Sequence, residues 1–398
     1  MLNMKKYKTF ISTASNLTPY LNQELLSLGF KGLSVLNTGV FLDASFDEIM
    51  RLNLSLHSAN HIFLLIKEFS CNNPDELYKQ VFNIEWENII SEDGYISVFS
   101  NVSNPTIRDN RFANLKCKDA IVDRLLNLKG KRPDSGSSRD KTVIYLYWID
   151  KHCTIYVDTS GESLSKRGYR KIPLKAPLQE TLASGIILAT GWQGKTHFVN
   201  PMCGSGTLAI EAAFIALNRA PSIFRKNFGF MHTKFFNAPA FEGIKNEIRK
   251  KENKNLSIKI IATDIDKNAA EAAYKNACLA RVENYIEFKA CDYTQTPVPE
   301  PPGIIIINPE YGIRLGNISE LEKLYEEIGD FLKQKCNGFT AYIFSGNTGL
   351  LKKVRLKTQR KLVFFNADIE CRLYEYQLYQ GSKRPAKPTM EHYQEGLS

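Results

Sequence analysis

A chain of 398 residues with an ordinary globular composition, 43% hydrophobic and 24% charged, exceeds the size at which one core stops growing and predicts two or three domains. Its 52 Lys and Arg against 42 Asp and Glu give a net charge of +10, which favours a polyanionic partner over an acidic one, a merely soluble basic surface being the plainer reading. The eight cysteines form no C-x-x-C pair, the six histidines are not clustered near them, and no run approaches the ~20 apolar residues of a membrane span, so neither zinc site, disulfide framework nor membrane anchor is expected and a reducing cytoplasm fits best.

Residues 1–44 read as a strand at Tyr7–Ser12, a helix at Pro19–Leu28 and short strands near Leu33 and Val40–Leu42. This is too little for a core and begins an α+β unit that later chain completes. From 45 to 158 helices alternate with strands: helices at Phe46–Leu56, Pro74–Val81 and Ile107–Leu126, strands at Ile62–Phe69, Tyr95–Ser100, Thr142–Ile149 and Cys153–Asp158. The third of these helices carries Arg108 and Arg111 beside Lys116, Lys118 and Arg124; a solvated face is the ordinary reading and a phosphate-contacting face the sharper one. Residues 159–177 hold Lys166, Arg167 and Arg170 with Tyr169 interleaved, a basic linker that reads either as a nucleic-acid contact or as solvated connection.

From 178 to 382 the pattern is βαβ-like and predicts an α/β fold with a doubly wound sheet closed by a hairpin of late strands. Residues 219–255 interrupt it as a Phe-rich insertion, read as local core. Residues 383–398 are a polar tail.

Phe198-Val199-Asn200 end a predicted strand, and Pro201-Met202-Cys203-Gly204-Ser205-Gly206-Thr207 turn into a strong helix former. Gly204 and Gly206 lack Cβ and let backbone approach a ligand, while the first N–H groups of the helix are free donors. The loop by itself also fits a dinucleotide fingerprint or a plain turn. Asp264 and Asp292 follow at the ends of the next two strands, suited to accept from two ribose hydroxyls and from an adenine amino group, although a lone Asp there is commonly a helix cap. The fourth strand ends in Asn308-Pro309-Glu310-Tyr311. Because Pro follows, Asn308 is extended; its side chain and the Pro309 carbonyl then offer two acceptors for one NH₂ group, beside the Tyr311 ring.

Asn308-Pro309-Glu310-Tyr311 resembles the N-P-P-Y motif of S-adenosylmethionine-dependent amino methyltransferases. With Ser160-Gly161-Glu162, Lys166-Arg167-Gly168-Tyr169-Arg170, residues 176–183, Arg219-Ala220-Pro221 and Tyr311-Gly312-Ile313-Arg314-Leu315-Gly316, the chain from 7 to about 382 is similar to the bacterial 23S rRNA guanine-N2 methyltransferases that carry a THUMP domain. The resemblance implies an N-terminal ferredoxin-like part, a THUMP RNA-binding domain and a class I Rossmann-like methyltransferase domain. It further implies RNA, as 23S rRNA or a large-subunit precursor, for substrate and S-adenosylmethionine as cofactor, bound by Asn200, Pro201, Cys203, Gly204, Ser205, Gly206, Thr207, Asp264 and Asp292, with Asn308, Pro309 and Tyr311 at the target base. Two positions depart from that family, which usually has Asp where Asn200 stands and a second Pro where Glu310 stands.

Rival readings are weaker on the residues. A nicotinamide-dependent oxidoreductase wants its ribose-binding acid ~20 residues after the Gly loop, long before Asp264. A cytosine-C5 methyltransferase needs a cysteine beside the fourth strand, where none stands. An adenine-N6 methyltransferase shares the amino-group chemistry, and a non-catalytic RNA-binding or ribosome assembly factor is the alternative of a different class.

Overall fold

The computed structural model describes residues 5–91, 94–172, 178–311 and 318–379. The end of the basic linker (173–177), the 312–316 part of the Tyr311–Gly316 motif and the polar tail lie outside the described residues.

The N-terminal part contains β1 (Tyr7–Thr13), α1 (Thr18–Ser27), β2 (Ser34–Leu36), β3 (Gly39–Ala44), α2 (Phe46–Ser55), β4 (Ala59–Ser70), α3 (Pro74–Phe82), β5 (Ile96–Ser103), α4 (Asn110–Lys129), β6 (Ser135–Gly136), β7 (Thr142–Ile149) and β8 (His152–Asp158). Its strands make one sheet of order β2-β3-β1-β4-β8-β7-β5-β6. β4 is the joint of that sheet. It pairs antiparallel with β1, Phe10 opposite Phe63, and on its other edge with β8, Phe63 opposite Asp158, so the first 44 residues complete their layer with later chain. Local chemistry sets the helix starts: Ser45 and Glu48 form a reciprocal capping box on α2, and Asn73 caps α3. Asp109 caps α4, which therefore starts at Asn110 and leaves Arg108 ahead of the helix rather than on it.

The second part contains α5 (Glu180–Ala189), β9 (His197–Pro201), α6 (Thr207–Ala216), α7 (Ala238–Lys250), β10 (Ile260–Asp264), α8 (Lys267–Ala280), β11 (Glu287–Ala290), β12 (Gly303–Ile307), α9 (Ile318–Lys335), β13 (Phe339–Ser345), α10 (Thr348–Lys353), β14 (Thr358–Asn366) and β15 (Ile369–Gln377). The sheet order is β11-β10-β9-β12-β13-β15-β14, parallel from β11 to β13, with β15 antiparallel to both of its neighbours. The doubly wound sheet and the late hairpin stand as read from the sequence. β12 shows why its Ile run is continuous: Ile304 and Ile306 enter the core under α5, α6 and α8, while Ile305 and Ile307 enter the one under α9 and α10. A strand covered on both faces has no polar side to show.

The Phe-rich insertion is the main difference from the sequence reading. It contains a helix that reading lacked, α7, and its aromatics do not make a core of their own. Phe228, Phe230, Phe241, Ile244 and Ile248 are buried in the N-terminal core, with Phe230 edge-on to Phe46 at 6.3 Å. Gly229 lies on Gly161, where an added Cβ would come within 2.3 Å of the Asp158 carbonyl. The insertion thus clamps the first part of the chain to the second.

Candidate active site

The order of the strands reverses between β9 and β12, and in open α/β sheets that is where a crevice opens at the carboxyl ends of the strands. β9 delivers Asn200 and Pro201 there. Met202 and Gly204 then take positive φ (54° each) and Gly206, at φ 81°, caps α6. The two glycines differ in purpose. A Cβ on Gly204 would meet nothing within 4 Å, so this part of the loop faces open space, whereas a Cβ on Gly206 would lie 2.8 Å from the Ala273 Cβ, so Gly206 is required by the packing of the loop on α8.

The loop is held from β10 and α8. Asp264 Oδ2 accepts from the Gly204 N–H at 2.9 Å and its Oδ1 from the Asp266 N–H; Asn276 donates to the Ser205 carbonyl, and the Cys203 N–H donates to the Thr263 carbonyl. Asp264 therefore fastens the turn as well as facing it, and each oxygen keeps a further lone pair. Asp292 is half-buried and accepts from the Thr294 N–H and hydroxyl, so it also caps a local turn. Ser205 and Thr207 are buried. Burial pushes the Cys203 thiol well above its ordinary range, which leaves it a neutral packing group and a poor nucleophile.

Two buried acceptors in the crevice lack a partner within the chain. Asn200 is 1% exposed; its Nδ2 donates to the Ile306 carbonyl at 2.9 Å, and its Oδ1 is buried without a partner. Asn308, two residues further along the adjacent strand path, also has a buried Oδ1 with no partner. Buried unsatisfied acceptors are uncommon and each asks for an explanation. An ammonium and an amino group are the donors that would satisfy them, and that donor set fits a methionine-type cofactor beside an amino-bearing base.

Pro309 is buried and Glu310 is exposed, with its backbone carbonyl accepting from Tyr325. Tyr311 is half-buried: its ring packs on Gly346, and Asn366 donates to its hydroxyl at 3.4 Å. Burial raises the Tyr311 pKa, so the phenol stays protonated at neutral pH.

The basic residues expected at RNA do not form one patch. Arg108 and Arg111 are exposed, Arg111 paired with Asp109. Lys166 is exposed and paired with Glu162. Arg167 corrects the linker reading: it is 5% exposed, donates to the carbonyls of Leu164 and His57 and lies 3.6 Å from the buried Glu211 carboxylate, which also accepts from Tyr169 and Ser184. A guanidinium consumed in this way faces no phosphate. Arg170 is turned inward as well, onto Glu180 and the Leu178 carbonyl. These contacts anchor the linker to α5 and α6, whose N-terminus receives the Gly loop.

The architecture has known counterparts. Residues 167–375 match the model of an RMKL-like methyltransferase domain, residues 71–158 that of a THUMP domain and residues 8–63 that of an RlmL ferredoxin-like domain. The chain is 37% identical, over 95% of its length, to ribosomal RNA large subunit methyltransferase K/L of Psychromonas ingrahamii, of which it covers 51%. It is 30% identical, over 93% of its length, to a Synechocystis sp. protein named as an RNA methyltransferase, of which it covers 96%. The solved structure of SMU.472, named as a methyltransferase and complexed with SAH, superposes with a TM-score of 0.86 at 26% identity over 95% of this chain and 100% of that one. The chain spans about half the length of the K/L relatives it matches. Among the described residues no helix is long and apolar enough to cross a membrane.

Proposed function

The chain belongs to the RMKL-like methyltransferase family, and from that premise we propose that it methylates the exocyclic N2 of a guanine in RNA, 23S rRNA or its large-subunit precursor, with S-adenosylmethionine as donor. The observation that carries the reading is the pair of unpartnered amide oxygens, Asn200 Oδ1 and Asn308 Oδ1, at the ends of neighbouring strands. Names of the K/L relatives support the RNA class, and the SAH held by SMU.472 supports the cofactor. All eight cysteines are free, as in a cytoplasmic enzyme.

S-adenosylmethionine, when bound, supplies an activated methyl group. The chain's own residues do the rest. Asn200 Oδ1 accepts from the cofactor's ammonium, Gly204 gives its backbone close approach, and Asp264 and Asp292 accept from ribose hydroxyls and the adenine amine through lone pairs their local hydrogen bonds leave free. Asn308 Oδ1 and the Pro309 carbonyl accept the two N–H groups of the target amine. The guanine amino lone pair is delocalised into the ring, so holding both hydrogens draws the nitrogen toward tetrahedral geometry, and alignment against the methyl provides the remaining advantage. The base must leave its stack to enter, with the Tyr311 ring replacing a lost neighbour.

Incubation of the purified chain with methyl-labelled S-adenosylmethionine and unmodified 23S rRNA, followed by nucleoside mass spectrometry, tests this. Label in N2-methylguanosine is expected. Label in N6-methyladenosine or a C5-methylpyrimidine, or in no nucleoside at all, overturns it.

A further inference from the structure

A cavity of about 390 Å³ lies away from the crevice, between the insertion and the C-terminal end of α8. That volume falls in the range of small-ligand sites. Three of its lining residues, Lys226, Arg249 and Arg281, are exposed, and among the described residues none of their side chains has an ion pair or hydrogen bond. The one carboxylate lining the cavity, Glu242, is neutralised by Lys245 at 2.9 Å.

Local structure fixes this charge. The Arg281 guanidinium lies 4.4 Å from the centroid of Phe224, which orients it without using any of its N–H donors. Arg281 itself sits at φ 56° as the C-cap of α8, and its backbone carbonyl accepts from Arg219. Arg225 forms the inner wall and is spent on the carbonyls of Ser160, Glu162 and Ser163, so it sets shape rather than binding. Ala238, the first residue of α7, completes the lining and adds the positive end of a helix dipole, opposing the negative end of α8. The result is an aromatic-floored cleft with three uncompensated cations.

We propose that this cleft is a second RNA-binding site that holds backbone phosphates of a non-reacting stretch of the substrate strand. The proposal rests on the reading of the substrate as RNA. α8 leads from Asp266 beside the crevice to Arg281, 14 residues or about 21 Å at 1.5 Å per residue, so the cleft grips RNA several nucleotides from the reacting base. A site so placed strengthens substrate capture and leaves the chemical step alone.

The test replaces Lys226, Arg249 and Arg281 together by Glu and measures anisotropy of a fluorescein-labelled 20-nucleotide single-stranded RNA across a salt series, with no methyl transfer involved. The expected result is a dissociation constant raised by about tenfold or more and a log–log salt slope reduced by about 2, at ~0.7 per lost phosphate contact on single strands. In steady state, KM for rRNA rises while kcat at saturating RNA holds. A triple Gln variant should give a smaller shift in the same direction, and its melting temperature and S-adenosylmethionine affinity report whether the fold is intact. Unchanged affinity and slope in an intact variant overturn the proposal, as does poly-glutamate competing on wild type as well as RNA does, which would assign the cleft to an acidic protein. If wild type methylates no RNA yet the triple variant loses RNA affinity, the cleft stands and the catalytic reading falls. If wild type methylates and the variant binds normally, the cleft alone falls.

Discussion

The side-chain amide of Asn200 donates to the Ile306 carbonyl across 2.9 Å, tying the end of β9 to β12 and leaving the amide oxygen buried without a partner. One side chain thus closes the sheet at the crevice and offers an acceptor for an incoming cation. Aspartate could do only the second of these, because it has no N–H to give.

The first prediction follows from that division. Asn200→Asp should lower the stability of the free protein by ~1–3 kcal/mol, since a buried carbonyl loses its donor and faces a carboxylate. The same change should tighten S-adenosylmethionine binding, because a charged acceptor meets the ammonium. Denaturant unfolding and titration calorimetry read the two effects separately. An affinity equal to or weaker than that of the parent would mean that Asn200 does not face the ammonium.

Asp264 holds the Gly loop through the Gly204 N–H and is also the expected ribose acceptor. Asp264→Ala should therefore weaken cofactor binding by ~1.5–3 kcal/mol, roughly ten- to 150-fold, the scale of a charge-assisted hydrogen bond. Calorimetry showing an unchanged affinity would remove Asp264 from the site.

Much of the site could be read from the sequence because its determinants are local. A strand, a turn and a helix N-terminus occupy adjacent residues, and the proline after Asn308 restricts its backbone wherever it lies. The α7 helix is also legible in the sequence, from the Asn237 cap, Pro239 and the spacing of Phe241, Ile244 and Ile248, although the phenylalanines that precede it follow no such period. Where the insertion packs was not readable, because its partners are Phe46 and the strands of another sheet. Arg167 fails for the same reason: Lys166 and Arg167 are neighbours with the same charge, and only the distant Glu211 and His57 distinguish an exposed cation from a buried one.

That distinction is measurable. Arg167→Ala leaves the Glu211 carboxylate buried without its cation and should destabilise the protein by ~3–5 kcal/mol. Lys166→Ala should leave the melting temperature nearly unchanged. If Arg167→Ala melts like the parent and only loses RNA affinity, the residue is a phosphate ligand after all.

Glu180 gives the junction a pH dependence. Burial pushes its carboxyl up to about 7, against the pull of the Arg170 guanidinium 2.9 Å away. A carboxyl whose folded pKa is raised adds stability below its unfolded value of 4.5 and loses it as pH rises through about 7. Glu180→Gln carries no such charge, so its melting temperature relative to the parent should climb between pH 5 and pH 8. A relative stability that is flat or falls over that range would place the Glu180 charge in water.

The amino-group pocket makes the last prediction. Asn308 Oδ1 has no partner in the folded chain, so its loss leaves no broken network behind it, and Asn308→Ala should fold and bind S-adenosylmethionine as the parent does. Turnover should nonetheless fall by about 10²-fold or more, the scale for removing one positioned electrostatic group from a water-poor site. Tyr311 separates stacking from hydrogen bonding. Its hydroxyl accepts a long 3.4 Å bond from Asn366 and otherwise meets only the weakly bonding Cys371 sulfur, so Tyr311→Phe should be nearly neutral, whereas Tyr311→Ala should lose the ~1–3 kcal/mol of a base–aromatic stack and raise KM for RNA. Single-turnover rates with cofactor affinity measured in parallel distinguish a pocket from a scaffold. A fall in cofactor affinity that matches the fall in rate for Asn308→Ala would place that side chain on the cofactor, and methylation at the parent rate would remove it from the reaction.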